Sequence, residues 1–155
     1  MSDLPEMLLV PVDGSSYSNA AAAYAARLAE RLGTPVRLLH AFPETPIELL
    51  GIPTESPSSE YVQYFSPEGF EKFREESAAS AFGAPRAAIG ETAVALEERI
   101  IPGDTGQAIL DHAAGMNRVM IIMGRRGASR FREIMIGSTT QQVLHHARCP
   151  VLVIR

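Results

Sequence analysis

A chain of 155 residues that is 46% apolar and 21% charged has the size and make-up of one globular domain, spanning 1–155, rather than of a disordered tract. The formal charge of −4 leaves no positive excess to neutralise a nucleic-acid backbone, and no window nears the roughly 18 apolar residues of a membrane span. Residues 1–6 are acidic where a secretory signal starts basic, and the lone Cys149 cannot form an intrachain disulfide, so the expectation is a cytoplasmic protein without nucleic-acid binding or membrane insertion.

Residues 7–12 (MLLVPV) form an apolar run too short for a helix, closed by the turn signal Asp13-Gly14-Ser15-Ser16; they predict a buried strand. Residues 17–32 are rich in alanine and other helix formers, with Ala21, Tyr24, Ala25, Leu28 and Leu32 at three- and four-residue steps and Gly33 as the stop. Residues 35–42 (PVRLLHAF) predict a second strand, parallel to the first because a helix separates them. Residues 43–66 hold Pro43, Pro46, Pro53 and Pro57, which break any helix or central strand; the stretch reads as a loop, with a lid as its functional reading and a passive insertion as the plain one.

Ser66-Pro67-Glu68 is a helix entry, and the helix is expected to run toward Phe82, with Pro85 kinking or ending it and Gly90 stopping it. Residues 92–101 (TAVALEERII) predict a third strand, followed by a helix capped by Asp104 that ends near Gly115. Residues 119–123 (VMIIM) and 151–154 (VLVI) predict strands four and five, with a helix over about 138–147 between them. Strands that are apolar throughout require helices on both faces, so the fold class is α/β: one parallel five-stranded sheet in a single domain. Such sheets bind ligands beyond the carboxyl ends of their strands, at the reversal of strand order, which singles out Asp13, Ala41 and the glycines from Gly124 onward.

After strand four the chain reads MGRRGASRFREIMIGSTTQQV. Gly124 and Gly127 are expected to allow positive φ and to let backbone N–H groups approach a phosphate. Gly137-Ser138 opens a helix whose first N–H groups, with the hydroxyls of Ser138, Thr139 and Thr140, make an anion site. No Gly-Lys-Ser/Thr occurs, and the glycines do not follow the first strand, so neither a Walker A loop nor a dinucleotide fingerprint is present. Arg125, Arg126, Arg130 and Arg132 form a basic cluster that reads either as a solvated face or as help in holding phosphate. His40, His112, His145 and His146 have no metal-ligand spacing, and Cys149 beside Pro150 reads as a small buried side chain.

The spacing Gly-x2-Gly-x9-Gly-Ser, at Gly124, Gly127, Gly137 and Ser138, resembles the ATP-binding motif of the universal stress protein family. The segments LLVPVDGSSYSNAAAAYAARLA, PGDTGQAILDHA and ARCPVLVI resemble that family's first strand and helix, its third helix and its last strand. The resemblance implies a Rossmann-like fold of the adenine nucleotide alpha hydrolase type. It implies that Asp13 meets the adenosine part of ATP, with Pro11, Val12 and Ser15 shaping the pocket and Ala41 meeting adenine through its backbone. Met123, Gly124, Arg126 and Gly127 align with ribose and phosphate contacts, and Gly137, Ser138, Thr139 and Thr140 with phosphate contacts. Independently, a carboxylate at a strand end suits paired ribose hydroxyls, because it accepts two hydrogen bonds.

The function expected from these readings is a regulatory module that holds ATP with Mg2+ or Mn2+ through the phosphates, signals through an unknown partner, and forms a homodimer through its C-terminal strand. A slow ATPase or a phosphoryl or adenylyl transferase is the alternative; no carboxylate in the motif or nearby histidine is evidently placed to activate water. A dimeric stress protein without nucleotide is the third reading, against which the intact motif argues.

Overall fold

The computed structural model describes residues 4–50, 66–127 and 136–155. Five strands, β1 (Met7–Pro11), β2 (Val36–Phe42), β3 (Leu96–Pro102), β4 (Val119–Gly124) and β5 (Val151–Ile154), form one parallel sheet in the order β3-β2-β1-β4-β5. The helices are α1 (Ser16–Leu32), α2 (Pro46–Leu50), α3 (Pro67–Ile89), α4 (Thr105–Ala114) and α5 (Ser138–His146). The chain builds outward from β1 to β3 and then returns to lay β4 on the other side of β1, so strand order reverses between β1 and β4.

Side chains alternate across each strand, and this alternation sorts the core into two layers. Leu8, Val10, Leu38 and Ile122 pack against Ala21, Ala22, Ala25 and Ala29 of α1 and Ala78 and Phe82 of α3. Leu9, Leu39, Ile121 and Met123 point the other way, onto Ala108, Ile109 and Ala113 of α4 and Val143 of α5. The alanines of α1 serve twice, as strong helix formers and as side chains short enough to let the helix lie close on the sheet. Ser15 caps α1 by accepting from Ser18 N at 3.2 Å, and Gly33, at φ 67°, ends it in the left-handed conformation that only glycine adopts without strain.

Four expectations need correction. The prolines of 43–66 do not exclude helix: α2 forms with Pro46 in its first turn, where a missing N–H costs nothing, and the Thr45 hydroxyl accepts from Glu48 N at 3.2 Å. Residues 51–65 of that loop lie outside the described residues. Pro85 does not end α3, which continues to Ile89; the ring is fully buried, and that burial offsets the lost helical hydrogen bond. The third strand begins at Leu96 rather than at residue 92, because its ladder starts opposite Val36, the first residue after Pro35, while Val94 N turns back to Thr92 Oγ1 at 3.2 Å. Asp104 stands at the cap position of α4, but its side chain makes no capping bond there.

Candidate functional site

Two strand ends meet at the order reversal. From β1, the chain leaves through Val12, whose N–H donates to Leu39 O at 2.8 Å, into Asp13 and a tight turn. Asp13 Oδ1 accepts from Ser15 N at 2.9 Å, Gly14 takes φ 80°, and a β-carbon on Gly14 would stand 3.3 Å from Ser80 O of α3. The turn is thus gripped from within and packed from outside, and the Asp13 side chain is left exposed.

From β4, the buried Gly124 carbonyl accepts from Thr140 Oγ1 at 3.0 Å. Arg125 N donates to Ile154 O at 3.0 Å, and Gly137 N donates to Arg125 O at 2.7 Å. These bonds seat the start of α5 against the exit of β4. The first bond of α5 runs from Gln141 N to Gly137 O, so the N–H groups of Ser138, Thr139 and Thr140 precede the helical ladder and face the positive end of its dipole.

Between the two strand ends lies a cavity of about 80 Å³. Of the sequence-predicted site residues, Pro11, Val12, Asp13, Met123, Gly124, Arg126, Gly127, Thr139 and Thr140 line it. Ser15, Gly137 and Ser138 do not; Ser15 and Gly137 are the cap residues of α1 and α5, and Ser138 is exposed at the first position of α5. Ala41 lines a neighbouring hollow of about 570 Å³ with Pro43, Glu44, Glu48, Gly103 and Asp104. Thr105, at the first position of α4, lines both. The sequence reading missed Thr105 and the buried Ser18, although Thr105 follows the third strand as Asp13 follows the first.

The role of the glycines is also corrected. Among the described glycines, positive φ occurs at Gly14, Gly33, Gly90 and Gly103, not at Gly124, Gly127 or Gly137. What these three need is space. A β-carbon would stand 2.8 Å from backbone atoms of Tyr17 at Gly124, 2.8 Å from Asp13 Oδ2 at Gly127, and 3.4 Å from Arg126 Cα at Gly137. The Gly137 N–H and the Thr140 hydroxyl hydrogen are already engaged, so the donors left for an anion are fewer than the motif suggests. Arg125 lies over the Tyr17 ring at 5.6 Å, while Arg130 and Arg132 fall outside the described residues.

A larger hollow, about 760 Å³, opens around Met116–Val119, Arg148 and Cys149 at the opposite pole of the sheet. It lies at the amino ends of β4 and β5 and is lined by none of the predicted site residues, whereas parallel sheets present ligands at their carboxyl ends. Burial pushes the Cys149 thiol up, which leaves it less reactive and agrees with a structural role.

A five-stranded parallel sheet with helices on both faces and a strand-order reversal flanked by a Gly-rich exit defines the Rossmann-like α/β class. The profile of the universal stress protein family matches residues 6–155, and the chain belongs to that family. A universal stress protein of Thermus aquaticus is 34% identical over 148 residues, covering 96% of this chain and 97% of that protein. The solved structure of the universal stress protein UspA from Lactobacillus plantarum superposes with a TM-score of 0.73 at 23% identity, over 98% of this chain and 99% of that one. A universal stress protein from Archaeoglobus fulgidus, solved in complex with dAMP, has a TM-score of 0.57 at 20% identity, with 98% of each chain covered.

Proposed function

We propose that this chain is a regulatory module that binds ATP at the β1–β4 strand ends, and that occupancy alters the surface it offers to a protein partner. The observation that carries the reading is the convergence of Asp13, the glycines Gly124 and Gly127, and the start of α5 on one cavity at the order reversal. A cavity of about 80 Å³ is far below the roughly 300–1,000 Å³ of a small-molecule pocket, so it would take only part of a nucleotide. The hollow beside Ala41, adjoining through Thr105, has room for the base.

In this reading Asp13 accepts from the ribose hydroxyls, with Pro11 and Val12 as the pocket floor and Ser15 holding the Asp13 turn. Gly124, Arg126 and Gly127 border the ribose and the phosphates, and the start of α5 from Gly137 through Ser138, Thr139 and Thr140 supplies the anion-stabilising dipole. Among the described residues no three His, Cys, Asp or Glu side chains converge on a point, so Mg2+ or Mn2+ would be held through the phosphates and would neutralise their charge. The Archaeoglobus fulgidus relative solved with dAMP supports an adenine nucleotide as the ligand class. Hydrolysis would need a group to activate water. Asp13 is the one carboxylate among the described residues lining the cavity, and its Oδ1 is held by Ser15 N, which favours binding over turnover.

The test is mass spectrometry of small molecules released from the purified, heat-denatured protein, followed by calorimetric titration with ATP and with inorganic triphosphate. ATP in the released fraction and a Ser138→Ala variant weaker by about 1.5–3 kcal/mol support a phosphate contact at that hydroxyl. A protein that binds neither ATP nor any adenine nucleotide defeats the proposal.

A further inference from the structure

We infer that His40 is a positioning residue that makes the grip on the nucleoside half of the ligand depend on pH. The inference rests on the reading of Asp13 as the ribose contact, and it concerns a side chain that the motif does not include.

The Val12–Asp13 peptide is clamped at both ends. On one side Val12 O meets His40 Nδ1 at 3.3 Å, and on the other Asp13 N donates to Ser18 Oγ at 3.4 Å. His40 Nε2 in turn meets Ser77 Oγ of α3 at 2.9 Å, and its ring packs edge-on against Phe82 with centroids 6.0 Å apart. A carbonyl only accepts, so Nδ1 carries a hydrogen, and in the neutral ring Nε2 accepts from the Ser77 hydroxyl. His40 therefore ties α3 to the peptide that aims Asp13.

The ring is not sealed off. A cavity of about 330 Å³, lined by Asp13, His40, Phe73, Glu76, Ser77, Ser80 and Ala81, gives a proton access to it. Asp13 is the wall between this cavity and the one between the strand ends. Among the described residues, the ionisable groups that line this cavity with the ring are Asp13 from the β1 turn and Glu76 from α3, while β3 places the uncharged Ile100 beside it. Burial lowers the His40 pKa most, and the Val12 bond and the Asp13 carboxylate oppose it.

Protonation changes two things together. Nε2 becomes a donor, so the Ser77 hydroxyl must turn its hydrogen elsewhere. A positive charge also appears beside Asp13 and competes with ribose hydroxyls for the carboxylate lone pairs. Nucleoside binding accordingly favours the neutral ring, and affinity falls as pH drops through the His40 titration.

The test uses adenosine, which carries no phosphate, titrated calorimetrically into the full chain between pH 8 and pH 5. Wild type is expected to lose affinity by up to about tenfold per pH unit below the His40 midpoint, the limit for one linked proton. His40→Gln, which cannot titrate there, is expected to give a flat profile. In parallel, NMR of the His40 ring reads its midpoint without relying on that variant; Asp13→Asn lowers it, and saturating adenosine lowers it in wild type. A flat wild-type profile with adenosine bound overturns the inference and leaves the nucleotide site standing. No adenosine binding at any pH overturns both. A His40 midpoint that neither Asp13→Asn nor adenosine moves overturns the inference even if His40→Gln fails to fold.

Discussion

Gly127 lies so close to Asp13 that a β-carbon on it would stand 2.8 Å from Asp13 Oδ2, although most of the chain's length separates the two residues. One methyl group at Gly127 therefore bears directly on the carboxylate assigned to the ribose. Gly127→Ala is expected to keep its stability within about 1 kcal/mol, because Asp13 is exposed and its side chain can yield. Adenosine and ATP affinities should fall about tenfold, or roughly 1.4 kcal/mol, with inorganic triphosphate little changed. Calorimetry with the three ligands measures this; a loss for ATP and triphosphate with adenosine unchanged would place Gly127 at the phosphates alone.

Gly124 and Gly137 separate fold from binding. At Gly124 a β-carbon meets backbone of Tyr17 at 2.8 Å, which cannot swing aside as a side-chain tip can. Gly124→Val should destabilise the protein by about 1–3 kcal/mol or more through overpacking, read by chemical denaturation. Gly137 sits at φ −62° and ψ 155°, an extended conformation open to valine, with its nearest contact at 3.4 Å. Gly137→Val should fold while losing about tenfold or more in ATP affinity. Wild-type ATP affinity in folded Gly137→Val would remove the start of α5 from the site.

A pH dependence of stability follows from His112 and His40. Arg37 Nη1 lies 3.3 Å from His112 Nε2, and a guanidinium only donates, so the neutral ring is the form that fits. Burial, then Arg37 and Arg99, lower the His112 pKa; burial is the largest cause of lowering at His40. A lowered folded-state value means the unfolded chain binds the proton more readily. Stability is thus full above the unfolded value of about 6.5 and declines as pH falls below it toward the folded values. Urea midpoints between pH 7.5 and pH 5 should fall, and His112→Gln should flatten part of that decline. A midpoint independent of pH across this range would contradict the linkage.

The two sheet edges differ in a way that bears on assembly. β3 carries Glu97, Glu98 and Arg99, charges that blunt an edge, whereas β5 reads VLVI and stays partly exposed along its whole length. A homodimer, as expected from the sequence, would therefore use β5. Deleting residues 151–155 would also remove the Ile154 carbonyl from Arg125 N, so Val153→Lys is the cleaner change. Sedimentation should show a wild-type dimer at micromolar concentration and a weakened one in the variant; a wild-type monomer would end the proposal.

Strands were legible because a doubly covered parallel sheet writes itself as short apolar runs, and VLVI was read to the residue. Pro46 was misjudged, and Pro85 was left open between a kink and a stop although Gly90 was read as the end, because proline's effect depends on its position within a helix and on the burial of its ring, which composition does not disclose. Nine of the eleven residues that line the cavity were accessible through the motif, the strand-end rule and the family resemblance. Thr105, Ser18 and His40 were not, since their proximity to Asp13 depends on which strands pair and on where α3 lands. The same holds for Gly127: its small size could be read as freedom of φ until the fold brought Asp13 against it.

The reversal between β1 and β4 has a consequence for biosynthesis. As the chain leaves the ribosome, β1, α1 and β2 emerge early, but their partner β4 follows only after β3 and α4. A nascent chain halted before β4 would therefore lack the Gly124–Gly127 side of the proposed ligand site. Nucleotide captured by the finished protein would reward only completed molecules, adding RT ln(1 + [L]/Kd) to their stability and nothing to fragments. Cellular nucleotide would in this way act as a proofreader of completed synthesis, protecting finished copies from proteolysis while leaving truncated ones exposed to it.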